Sequence, residues 1–89
     1  MTTATPIITP IIHHNGDTET TLLTQLREAY TAVRKAQQTL RETAPNARNY
    51  YPEPGRFELA VAQHRERALH LQLVAQSLID EADAIQDRN

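Results

Sequence analysis

Three prolines fall within ten residues of this chain, Pro45, Pro52 and Pro54, and on either side of them apolar residues recur at alternating steps of four and three. That combination leaves little choice of fold. Proline lacks a backbone N–H and fixes its own φ, so a helix arriving from the N-terminal side must stop near Pro45, and a new one can start with proline in its first turn. Upstream, Leu22, Leu26, Ala29, Val33, Ala36 and Leu40 define one apolar seam. Downstream, Phe57, Val61, His64, Ala68, Leu71, Ala75, Leu78, Ala82 and Ile85 define a longer one. Asp17 or Thr18 can accept from free N–H groups at the first helix start, and Glu19 suits the positive end of its dipole. The reading is all-α: an antiparallel helical hairpin over 17–89, with helices at about 18–43 and 55–87 and a loop at 44–54. Counting outward from the loop sets Leu40 against Phe57 or Val61, Val33 near Ala68 and Leu22 near Leu78. Ala82 and Ile85 then overrun the first helix and require cover from the N-terminal arm or a partner chain.

Residues 1–16 read differently. They hold a tandem repeat, Thr5-Pro6-Ile7-Ile8 and Thr9-Pro10-Ile11-Ile12, in which each proline drives the preceding threonine toward extended geometry. The arm is therefore extended or disordered. Four isoleucines favour laying it along an apolar groove, and terminal position favours disorder. His13-His14-Asn15-Gly16 then breaks the chain.

A chain of 89 residues supports one domain, and 39% hydrophobic with 22% charged residues is a soluble composition. The aliphatic repeat is interrupted by prolines and lacks the basic flank and cleavage site of a secretory signal, so the expected location is cytoplasmic. Without cysteine there is no disulfide framework and no thiolate chemistry. A net charge of −2 argues against general DNA binding.

A single hairpin buries one stripe per helix, and this chain has more apolar surface than that. Leu69 and Leu73, with Ala62, project from the second helix opposite its seam, and Leu23 and Tyr30 flank the seam of the first. These four large side chains predict a homo-oligomer, at least a dimer forming a four-helix bundle.

Charge is segregated too. Residues 34–67 carry seven basic groups against four acidic ones, whereas Asp80, Glu81, Asp83 and Asp87 crowd the end of the second helix, where the macrodipole disfavours anions. One arrangement that uses this is an anion site at the loop. Arg48 and Arg56 can serve as bidentate donors, Tyr50 and Tyr51 as stacking faces, and Asn46 and Asn49 as readers of a polar edge, beside the free N–H groups of a helix start. The competing reading is that the loop closes the hairpin, its aromatic rings capping the seam and its prolines stiffening the turn.

His64 is a polar group at a seam position. Metal binding would need partners that the sequence does not bring to it, so a buried histidine hydrogen-bonded across the interface and setting register is the stronger reading. His13-His14 with Asp17 reads as an exposed linker. No metal or cofactor is expected. With no nucleophile and base pair, phosphate loop or carboxylate dyad, the chain does not read as an enzyme.

The run Ala44-Pro45-Asn46-Ala47-Arg48-Asn49-Tyr50-Tyr51, followed by Gly55, Phe57 and Gln63-His64-Arg65-Glu66-Arg67, resembles a group of small helical bacteriophage proteins of unknown role over residues 20–86. In architecture alone the chain is similar to the phage sponges that sequester the cyclic nucleotides of CBASS-type immunity. That resemblance implies binding without turnover, in pockets repeated by symmetry. The expectation is an anti-defence protein that captures a cyclic di- or trinucleotide; the alternative is a protein–protein inhibitor of the anti-CRISPR kind or a phage assembly accessory.

Overall fold

The computed structural model describes residues 6–13, 16 and 18–88. Asp17 as a cap, residues 1–5 of the arm and the His14 and Asp17 members of the linker triplet lie outside the described residues. Helix α1 spans Glu19–Arg41 and helix α2 spans Pro54–Arg88, with a 3₁₀ turn at Ala47–Tyr50 between them. The two helices form an elongated hairpin, all-helical as the periodicity predicts, with extents of 63 × 25 × 17 Å. No described helix is long and apolar enough to cross a membrane.

Local chemistry sets the boundaries. Thr18 is the N-cap of α1, in extended geometry, and its hydroxyl accepts from the Thr21 N–H at 3.1 Å. At the other end the backbone tightens into i→i−3 bonds: Glu42 N–H donates to Thr39, Thr43 N–H to Leu40 and Ala44 N–H to Arg41. The Thr43 hydroxyl also donates to the Leu40 carbonyl at 2.8 Å, so the last carbonyls are satisfied before Pro45 ends the run. Pro54 opens α2 in the position where its missing N–H costs nothing.

Two features of the packing differ from the sequence reading. On α1 the half-buried residues are Glu19, Leu22, Leu23, Leu26, Tyr30, Val33, Gln37 and Leu40, whereas Ala29 and Ala36 are exposed. The helix is rotated so that Leu23 and Tyr30, expected beside the seam and available to another chain, sit in it. The physical reason is area: a leucine and a tyrosine remove far more apolar surface from water than two alanines. Ala68 of α2 is likewise exposed.

The register is also displaced. Gln37 donates its side-chain amide to Gln72 Oε1 at 3.1 Å. Tyr30 lines a cleft with Leu78 and Ile79, and Leu23 lines it with Gln86. The expected pairing placed Val33 near Ala68 and so Gln37 near His64; the observed partner lies about two turns further along α2, roughly one heptad. The first turns of α2 pack instead on the 3₁₀ turn. Ala82 and Ile85 therefore lie beside the first turns of α1 and do not overrun it.

Ile85 is nevertheless the best-buried side chain described, at 0% exposure, with Ala75 next at 3%. Seam residues covered by one facing helix, such as Leu71 and Leu78, stay half-buried. Complete burial needs a second cover, and at this end of the hairpin the remaining chain is the segment before α1. Within that segment Ile7, Thr9, Pro10 and Ile12 are partly buried while Ile8 and Ile11 are exposed. Residues 6–13 form no helix or strand, and the Gly16 N–H closes a turn onto the His13 carbonyl at 3.0 Å. The exposed His13 ring lies beside Gly16.

Candidate functional site

The six loop residues singled out from the sequence divide into two groups. Asn46 is the N-cap of the 3₁₀ turn, its Oδ1 accepting from the Arg48 N–H at 2.9 Å. Tyr50 is half-buried with its ring tilted on Phe57, centroids 6.0 Å apart at 46°. Arg56 is paired with Glu53 at 3.3 Å, an exposed contact one turn apart. Asn46 and Tyr50 are thus engaged in the loop's own structure, while Arg56 makes only an exposed ion pair. Arg48, Asn49 and Tyr51 are exposed, Tyr51 at 69%. Residues i and i+3 of a 3₁₀ turn eclipse one another, so Arg48 and Tyr51 project from the same edge. None of the described clefts is lined by loop residues.

The densest basic surface lies elsewhere. The exposed side of α1 carries Thr31, Arg34, Lys35, Gln37, Gln38 and Arg41 around an open, shallow groove, three cations with no acidic residue. Gln37 and Arg41 also border a smaller cleft of about 170 Å³, completed by Leu40, His64, Ala68 and Gln72. Arg34 Nη1 donates to Gln37 Oε1 at 3.2 Å, so Gln37 accepts from Arg34 and donates to Gln72. The sequence reading counted Arg34, Lys35 and Arg41 in a basic region without bringing them into one groove; their i, i+1 and i+7 spacing, two helical turns, was the available signal.

His64 sits on the seam, half-buried, and its Nδ1 is buried with no hydrogen-bond partner among the described residues. No hydrogen bond from His64 across the seam is found among the described residues. The side-chain hydrogen bond that does span the two helices is the exposed one from Gln37 to Gln72, a pair that heptad counting passes over because one member is polar on an apolar face and the other lies outside the seam. No three His, Asp or Glu side chains among the described residues cluster in a way that could hold a metal ion.

The outer face of α2 carries the largest unpartnered apolar surface. Leu59, Leu69 and Leu73 are 68%, 52% and 41% exposed. With Ala62 they fall within about 80° of one another around the helix axis, on the side turned away from Ala75, and Val74 borders them. Leu59 and Val74 extend the Leu69 and Leu73 pair seen in the sequence into a stripe about four turns long.

Comparison with family models, with curated proteins and with solved structures finds no match for this chain. The site is therefore read from its own geometry.

Proposed function

We propose that this chain is a non-enzymatic interaction protein that works as a homo-oligomer. The reading rests on the Leu59, Leu69 and Leu73 stripe, which lies on a regular helix and faces solvent in the single chain. An exposed leucine stripe of this kind, here interrupted by Glu66, is a common mark of an association surface on a small helical protein. Assembly also multiplies the Arg48 and Tyr51 edge and the basic groove of α1, which is the form a capturing or inhibiting protein would need. Sedimentation velocity tests the reading directly. The protein is expected to run as a dimer or larger, and Leu69→Glu with Leu73→Glu to run as a helical monomer. A wild-type chain that stays at 10.1 kDa across the micromolar range overturns it.

A second reading, capture of a cyclic di- or trinucleotide in an anti-defence role, draws support from the basic groove. Arg34, Lys35 and Arg41 border an open groove on α1 that no carboxylate lines, a chemistry suited to a diester anion. Calorimetric titration against a panel of cyclic oligonucleotides tests it, with Arg34→Glu plus Arg41→Glu as the control expected to abolish binding. Absence of micromolar binding to every member removes this reading.

A further inference from the structure

Resting on the anion-capture reading above, we infer that the anion is seated in the cleft between α1 and α2 bordered by Arg41, His64 and Gln72, and that this seat takes one phosphoryl group of a small organic phosphate. The argument begins with the direction of a hydrogen-bond chain. Arg34 has N–H groups only and must donate, so the atom that Gln37 turns toward it at 3.2 Å is Oε1. Gln37 Nε2 is left to face α2, where it donates to Gln72 Oε1 at 3.1 Å. Each amide oxygen is already accepting, and the Gln72 amide NH₂ is left without a bond among the described residues.

His64, which borders the same cleft, adds a second donor. Its Nδ1 is buried with no partner, whereas Nε2 is neither a buried orphan nor bonded to a described residue, so Nε2 is the ring nitrogen open to solvent. A buried N–H lacking an acceptor is rarer than a buried acceptor lacking a donor, which puts the proton of the neutral ring on Nε2. Arg41 supplies further N–H groups, and its side chain makes no ion pair or hydrogen bond with a described residue. Arg41, His64 and Gln72 therefore turn free donors to this cleft, no carboxylate lines it, and the amide oxygens beside it are in use. Donors of this kind suit an oxyanion with several acceptor oxygens. Exposed Ala68 leaves room between them, and Leu40 supplies an apolar wall. The last carbonyls of α1, which would repel an anion, already accept: Thr39, Leu40 and Arg41 take the N–H groups of Glu42, Thr43 and Ala44. The groove of Arg34 and Lys35 shares Gln37 and Arg41 with the cleft, so the remainder of a larger phosphate ligand runs onto it.

Gln72→Glu is the discriminating variant, because its carboxylate still accepts from Gln37 while an acceptor replaces the free NH₂. Inorganic phosphate is titrated into the full chain at constant ionic strength and read by NMR at the ring nitrogens of its four histidines. A saturable shift is expected at His64, with His70 unmoved. Gln72→Glu and Arg41→Gln are each expected to weaken the apparent affinity by about tenfold or more with helix content unchanged, and Lys35→Gln, in the outer groove, by less than about threefold. A His64 shift that never saturates, or that is no larger than the one at His70, overturns the seat, as does equal weakening by Lys35→Gln and Gln72→Glu. Cyclic oligonucleotides then separate the two claims. If one binds the parent and Gln72→Glu alike, capture stands and the seat is wrong. If phosphate saturates His64 while every cyclic oligonucleotide fails to bind, the seat stands and capture of those ligands does not.

Discussion

Gln37 of α1 and Gln72 of α2 are joined amide to amide at 3.1 Å across the hairpin, one polar pair between two long helices whose other facing positions are mostly apolar. Arg34 holds the acceptor end of Gln37 at 3.2 Å, so the amide orientation is fixed from both sides. A polar residue at a seam position specifies register at some cost in stability. Replacing Gln37 by Leu completes the run Leu23, Leu26, Tyr30, Val33 and Leu40. The variant is expected to be more stable by about 1 kcal/mol from added apolar burial. In urea denaturation its midpoint should rise; a fall of similar size would mean that the amide pair contributes more than the leucine.

Tyr50 and Tyr51 are neighbours with opposite roles. Tyr50 packs on Phe57 where the loop meets α2, and Tyr51 faces solvent. Tyr50→Ala is expected to cost about 1–2 kcal/mol, given that its ring is half-buried and loses an aromatic partner. Tyr51→Ala should stay within about 0.5 kcal/mol of the parent. Thermal melts of the two variants side by side provide the check, and equal losses would contradict the assignment.

Ile85 lies at 0% exposure near the start of α1. Ile85→Ala is expected to destabilise by about 3 kcal/mol, the usual cost of truncating a buried isoleucine. If the segment before α1 supplies the second cover, removing residues 1–12 destabilises the chain and reduces what Ile85→Ala then costs. A double-mutant cycle reads that coupling. Strict additivity would place the cover elsewhere.

His64 presents a buried Nδ1 with no described partner. A buried polar atom left unpaired carries its full desolvation cost, so His64→Leu is expected to stabilise by about 1–2 kcal/mol. Chemical denaturation measures this. A loss of stability would show that the imidazole makes a contact in the assembled protein that the single chain does not contain.

Much of the candidate site was legible before the fold. Leu69 and Leu73 stand out on the far side of the second helix from spacing alone, because 100° per residue is a property of every α-helix. The loop motif was legible as a cluster of chemistry, but not its division into Asn46, Tyr50 and Arg56, which are engaged within the loop, and Arg48 and Tyr51, which share a free edge. That division depends on the 3₁₀ turn, whose i and i+3 eclipse is invisible until the turn exists. The basic groove was likewise only a charge count until α1 was seen to present Arg34, Lys35 and Arg41 around Gln37.

Two helices, and about where they stop, follow from proline chemistry, threonine caps and apolar period, which act within a few residues. How far one helix slides past the other, and how each is rotated, depends on packing between the two. A heptad pattern shifted by one repeat still sets apolar against apolar, so periodicity leaves such registers nearly equal in energy. The observed register goes with two contacts that the repeat does not encode: Phe57 against Tyr50, seven residues back at the loop, and Gln37 met by Gln72 across the seam.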